Sequence, residues 1–341
     1  MLVPFVIDAE SLAPDPGWTP AQLLICHQSL LDMWQCIGIL KHDADSFETS
    51  CLNKAIQQLP QKIRPLWHAV LGRDPRLLLA CGNGWDGNVT PNNIKQLDGV
   101  AQVALVDDTR AEVDFGLAEE VLSSPAQGVS NVEICRILAV AHAKTFQDAL
   151  ARAATHIEPR ETFKEIWAER FQSLACAPIK RVVIVDRFAI GQLFNPPRQQ
   201  LAGLDRFLRL LDADASGSRH VTLYSSWADL SRATGMDEIE AELKLLISRS
   251  RLRRGTIKQL KVVMLPNPVF GDVAHDRFVR FERLVWDIGL GLKVFEGAFA
   301  VERSSATFKA DRIAVDGYKK VEQELATHPQ AKSRVLQSPS D

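Results

Sequence analysis

Short apolar runs alternate with longer amphipathic stretches through residues 1–155. Leu2–Ile7, Leu77–Cys81 and Gln102–Val106 each read as a strand buried on both faces, since none shows the polar alternation of a half-solvated strand. Between them, residues 21–40 place Leu23, Leu24, His27, Leu30, Leu31 and Trp34 near a helical period, and further helices are expected over 46–58 and 61–71. Ser130 and Glu133 have the spacing of a capping box, which predicts a helix over 131–154. Strand–helix alternation of this kind points to an α/β domain on a mainly parallel sheet.

The second half continues in the same class. Strands are expected at 181–185, 220–224, 261–265, 277–281, 284–288 and 298–302, with helices over 160–175, 199–211 and 236–250. A chain of 341 residues is long enough for two cores. The expected division is an α/β domain over 1–158, a second α/β domain over 159–322, and a flexible polar tail over 323–341.

Composition narrows the setting. Apolar residues make up 46% and charged residues 24%, as in ordinary globular chains. The net charge is −2, so any affinity for nucleic acid or an anionic membrane must come from a local patch. The six cysteines, Cys26, Cys36, Cys51, Cys81, Cys135 and Cys176, form no C-x-x-C pair and suit a reducing compartment. No apolar run approaches the ~20 residues of a membrane span, and residues 2–8 lack the basic flank of a signal peptide. The expectation is a cytoplasmic protein without a transmembrane segment.

Residues 275–295 carry the densest pattern. His275 and Arg277 open a strand containing Phe278, Val279 and Phe281; Glu282 follows five residues after the arginine; Trp286 marks the next strand; then come Gly289-Leu290-Gly291-Leu292 and Phe295. This H-x-R-x4-E arrangement resembles the H-x-K-x4-D motif of the phospholipase D superfamily. It is most similar to the phospholipase-D-like domain at the C-terminus of MIT-domain proteins (MIT_C-like), with Val182–Phe188 as a matching opening strand and about residues 180–300 covered. The resemblance implies His275 as a nucleophile on phosphorus, Arg277 as the group that stabilises phosphoryl charge, and Glu282 as the residue that orients the histidine. With one copy of the motif, two protomers would have to meet to supply both histidines, hence a homodimer. Arg277 stands for Lys, Glu282 for Asp, and the Ser or Thr of active members is absent. Three readings stay open: a non-catalytic phosphate pocket, active phosphodiester chemistry, and a structural His–Glu and Arg pair.

Other candidates surround that motif. Arg249, Arg251, Arg253, Arg254, Lys258 and Lys261 form a basic run that suits a phosphate backbone, or a solvated helix end. Arg187, after the strand 181–185, would bring a second guanidinium near His275. Ser225 and Ser226 would donate to a phosphate or cap a helix starting at Trp227. In the first domain, Asp8 and Asp107-Asp108 each end a strand and are candidate ligands for Mg²⁺ or Mn²⁺, with Glu10, Glu48 and Asp114 as additional acids. That arrangement resembles PIN-like nucleases. The loop Gly82–Asn88 has no Gly-Lys-Ser/Thr and reads as a tight turn. The leading expectation is a nucleic-acid-binding protein with nuclease or phosphodiesterase activity, in a setting such as bacterial antiviral defence. The alternative is a non-catalytic module for lipid head groups or a partner protein.

Overall fold

The computed structural model describes residues 2–13, 17–73, 77–126, 128–196, 201–248, 250–274 and 277–338. The chain divides after Ala151 into two α/β units, seven residues before the expected boundary at 158. Among the described residues no helix is long and apolar enough to cross a membrane.

In the N-terminal unit the chain runs β1 (Val3–Ile7), α1 (Pro20–Ile37), β2 (Gly38–His42), α2 (Cys51–Gln58), α3 (Arg64–Arg73), β3 (Leu78–Ala80) and β4 (Val103–Val106). It continues through α4 (Asp108–Val113), β5 (Ser123–Pro125), β6 (Glu133–Arg136) and α5 (Lys144–Arg152). The sheet order is β3-β2-β1-β4-β6-β5, parallel except for β5 at one edge. Strand order therefore turns at β1, which has β2 on one side and β4 on the other. Helix α1 begins with a capping box between Thr19 and Gln22 and Pro20 in its first turn. Val6, Ala104, Val106 and Ile134 from the sheet pack with Trp85, Ile94 and Leu97 to form one core.

Two expected helices are corrected here. The helix expected over 21–40 stops at Ile37, and Gly38–His42 is a strand. Gly38 pairs with Val3, and a Cβ there would lie 2.6 Å from the Phe5 ring and 2.8 Å from Trp34 Cα. The helix expected over 131–154 is likewise a strand first. Ser130 Oγ turns to Asp98 at 2.6 Å, and the Glu133 carboxylate accepts from the backbone N–H of Lys144 at 2.6 Å and Thr145 at 2.8 Å. Glu133 thus caps α5 from an adjacent strand.

His27 on α1 is buried, and its Nδ1 accepts from Trp67 Nε1 at 3.1 Å. Burial pushes its pKa down to about 4. The folded unit therefore holds the neutral ring, while the unfolded chain gains a proton below pH ~6.5. Stability is full above that pH and falls as pH drops toward 4, by about 3 kcal/mol from this residue. His27→Gln keeps an acceptor for Trp67 without the titration. Its unfolding midpoint, measured from pH 8 to 4, should fall less steeply than that of the wild type.

The C-terminal unit begins with α6 (Phe163–Ile166), a π turn (Trp167–Phe171) and α7 (Gln172–Cys176). It continues β7 (Arg181–Val185), α8 (Ala189–Phe194), α9 (Gly203–Asp214), β8 (Arg219–Ser226), α10 (Met236–Leu246), β9 (Ile257–Leu265) and α11 (Asn267–Val273). The last elements are β10 (Phe278–Phe281), β11 (Leu284–Ile288), β12 (Ala306–Lys309), α12 (Arg312–Thr327) and β13 (Lys332–Gln337). The sheet order is β12-β11-β10-β7-β8-β9-β13, with β7, β8 and β9 parallel and the flanking strands antiparallel. One core joins Trp167, Phe171, Phe207, Trp286 and Phe295 ring to ring. The other lies under α12, where Val315 and Leu325 meet Val183, Val185, Tyr224 and Val263.

Two further expectations change. The strand placed at 298–302 forms instead at Ala306–Lys309, with only an isolated bridge at Phe299. Residues 323–337 of the expected tail are ordered structure, the end of α12 and then β13, which pairs with β9 from Lys332↔Met264 to Gln337↔Gln259. Of the six β13 side chains only Leu336 is buried, so backbone pairing holds the strand and the side chains look like a tail.

Candidate functional site

The N-terminal acids come first, at the carboxyl ends of β1 and β4, where strand order turns and open parallel sheets place their ligands. Asp8 and Asp107 do converge. Ser11 Oγ lies 2.7 Å from Asp8 Oδ2 and 3.1 Å from Asp107 Oδ2. The backbone N–H of Val89 donates to Asp8 Oδ1 at 2.8 Å, and Asp107 Oδ1 caps α4 by accepting from Arg110 N at 2.8 Å. The Arg110 guanidinium then enters the group. It stands 3.2 Å from Asp8, pairs with Glu10, and reaches Asp114 at 3.9 Å. Burial pushes the Asp8 carboxyl above its ordinary range, while Ser11, Val89 and Arg110 pull the other way.

Asp108 is turned away, to Arg136 at 2.8 Å, and Glu48 is bonded to Ser46. Among the described residues no group of three or more His, Cys, Asp or Glu is placed to hold a metal ion. Asp8 is engaged through both oxygens, and its charge is met from within by Arg110.

The second candidate is the carboxyl edge of the C-terminal sheet. There β7, β8 and β9 end and β10 starts, because Phe278 pairs antiparallel with Val185. That register sets Arg277 beside Asp186-Arg187-Phe188. Asp186 is buried, accepting from Phe188 N at 3.0 Å and Leu292 N at 2.7 Å. Burial raises its pKa; the backbone N–H groups and then Arg277 oppose the rise. Both arginines lie against the ring of half-buried Phe188, with guanidinium carbons 5.3 Å (Arg187) and 5.2 Å (Arg277) from its centroid. Arg187 Nε also donates to Asn267.

The Ser225 and Ser226 hydroxyls are buried and face inward, donating to the Arg187 carbonyl at 3.2 and 2.8 Å. They hold the strand end that carries Arg187, and no helix starts at Trp227. Trp227, half-buried, has Lys332 Nζ 5.7 Å from its ring centroid.

Other expected members lie elsewhere. His275, Asp276 and Arg249 fall outside the described residues. Glu282 occupies the β10–β11 turn at φ 53°, at the opposite end of β10 from Arg277, where it accepts from Arg181 N at 3.0 Å. The basic run also sits at the far edge, since Lys258 is at the amino end of β9 and Arg277 lies at the level of its carboxyl end, ~23 Å further along the strand direction. Part of that run is committed internally: Arg251 pairs with Asp205 at 3.0 Å, and the Arg254 guanidinium donates to the Ala213 carbonyl while its backbone N–H donates to Asp212. Arg253 and Lys258 are exposed.

Four side chains of the carboxyl edge escape sequence reasoning as site members: Phe188, Trp227, Asn267 and Lys332. An aromatic residue one to three positions past a buried strand, as at Phe188 and Trp227, was the available signal. No family model matches the chain, and no curated protein matches it.

Proposed function

We propose that the C-terminal unit binds nucleic acid at the carboxyl edge of its sheet, through Arg187 and Arg277. The observation that carries this reading is the gathering of two guanidinium groups at one half-buried aromatic ring. Neither arginine makes an ion pair with a carboxylate among the described residues: Arg187 Nε donates to Asn267, and Arg277 lies close enough to buried Asp186 to oppose the rise of its pKa. Guanidinium groups suit phosphate because their fork matches two oxygens at once. The ring adds an apolar face that a base can use and a lipid phosphate cannot. Cleavage is not part of the proposal, because Glu282, which the motif asks to orient its histidine, stands at the other end of β10.

The test is fluorescence anisotropy with a labelled oligonucleotide at low salt. Binding should weaken steeply as salt rises, and Arg187→Ala or Arg277→Ala should each cost about tenfold or more in Kd, from the loss of charge-assisted hydrogen bonds. Absence of binding at low salt, or wild-type affinity in both variants, overturns the reading. Retention on anionic vesicles without oligonucleotide binding would favour a lipid head group instead.

A further inference from the structure

The carboxyl edge carries a second cation–aromatic pair, and its position relative to the first identifies the kind of nucleic acid. The strand order β10-β7-β8-β9-β13 brings Arg277, Arg187 with Phe188, Trp227 and Lys332 to the same edge in that sequence. Lys332 reaches the row because β13 runs antiparallel to β9 and starts opposite Met264, near the end of β9. From β10 to β13 the row crosses four strand spacings, ~19 Å at ~4.8 Å each. The two rings follow adjacent strands, β7 and β8, and the cations stand beside and outside them.

Both rings sit on fixed backbone. Ser225, Ser226 and the Ser226 N–H all donate to the Arg187 carbonyl, next to Phe188. The Trp227 N–H donates to the Leu265 carbonyl at 3.1 Å, and Ser226 Oγ accepts from Ala228 N at 3.1 Å.

We infer that this row binds a single strand, with bases against Phe188 and Trp227 and phosphates against Arg277, Arg187 and Lys332. The inference rests on the nucleic-acid reading above and narrows it. A duplex keeps its base faces stacked inside, so the rings would be idle against it. A single strand exposes those faces, and aromatic platforms interleaved with cations are how such strands are held without regard to sequence. Every base has such a face, so DNA and RNA share the chemistry.

The experiment compares oligo-dT, oligo-U of equal length and a blunt DNA duplex, by anisotropy at low salt, on the full chain. Single strands should bind at least tenfold tighter than the duplex. Trp227→Ala should weaken single-strand binding about tenfold and leave duplex binding unchanged, while Trp227→Phe, which keeps a ring, should bind like the wild type. Lys332→Ala should reduce the salt dependence of oligo-dT binding by about 0.7 in log–log slope, one phosphate contact. Lys258→Ala, at the opposite edge, should change nothing. Equal affinity for duplex and single strand, with Trp227→Ala silent and Arg277→Ala weakening both, would overturn the single-strand inference and leave nucleic-acid binding standing. No binding to any of the three probes would overturn both. The ratio of oligo-dT to oligo-U affinity assigns the source of the strand.

Discussion

Glu322→Ala is expected to cost the C-terminal unit about 3–5 kcal/mol of unfolding free energy, a large part of a domain's total stability. Arg280 lies within β10, in the middle of the sheet, and is buried; Glu322 on α12 is buried above it. Nε and Nη2 of Arg280 donate to the two carboxylate oxygens of Glu322, and Nη1 donates to the Glu282 carbonyl. The guanidinium is thus satisfied only while α12 is seated. Alanine removes the carboxylate and strands a cation where water cannot replace the lost bonds, which is why breaking such a pair costs more than the pair itself contributes. The same argument predicts that the joint change Arg280→Met with Glu322→Leu recovers most of the loss, since no buried charge remains. Urea unfolding midpoints of the three proteins check both statements. A loss below about 1 kcal/mol for Glu322→Ala would mean the pair is solvated after all, as exposed pairs are.

The parts of the fold that were legible in the sequence are those whose signal is local. Strands β1, β4 and β7 are unbroken apolar runs because both faces of each are covered, and their identity needs no knowledge of neighbours. Strand β2 is hidden because Ile37, Ile39 and Leu40 extend the apolar pattern of α1 without a polar break. Strand β6 is hidden for the opposite reason: Glu133 stands three residues after Ser130, as in a capping box, yet its carboxylate caps a helix eleven residues on. Strand β13 is held by its backbone, so its exposed side chains carry no pattern.

The sites show the same division. That Asp8 and Asp107 end strands was readable; that Arg110 closes on them was not, because an arginine within α4 reads as a solvated helix residue. The H-x-R-x4-E spacing put Glu282 in the same motif as Arg277, but a four-residue strand carries it to the other end of β10. Conversely, Lys332 reaches the edge from a segment that reads as a tail. What the sequence lacks in each case is the register between strands, and register decides which strand ends share an edge.

The two edges also differ in how their arginines are met. In the N-terminal unit the single guanidinium of Arg110 meets Asp8 at the end of β1, Glu10 in the following turn and Asp114 at the end of α4. In the C-terminal unit the carboxylate beside Arg277, Asp186, is buried and held by backbone N–H groups. A net charge of −2 over the whole chain leaves room for local gatherings of cations such as Arg187 with Arg277.

Gly291→Ala should be strongly damaging near that edge, with a cost of about 2–5 kcal/mol and a measurable loss of oligonucleotide affinity. Gly291 has φ 57°, in the left-handed region, where an L side chain alone costs about 1–2 kcal/mol. Its Cβ would also fall well inside contact distance of Asp186 Oδ2 and 2.9 Å from Arg277 Cδ. Asp186 cannot retreat without giving up its bonds from Phe188 N and Leu292 N, and Leu292 follows Gly291 directly. Overpacking of this kind adds about 1–3 kcal/mol, and relief can come only by shifting Asp186, the Leu292 backbone or Arg277. The first two loosen the seat under Phe188, and the third moves a cation off its ring, so stability and binding should fall together. Gly317→Ala is the matched control. It lies in α12 with open space around it, and there the methyl should raise stability by about 0.5–1 kcal/mol through helix propensity and leave binding alone. Urea unfolding and oligonucleotide anisotropy on both variants separate the cases. A Gly291→Ala protein that unfolds and binds like the wild type would show that the carboxylate and the Gly289–Leu292 loop yield to one another freely, and the edge would then lack the rigidity that base stacking requires.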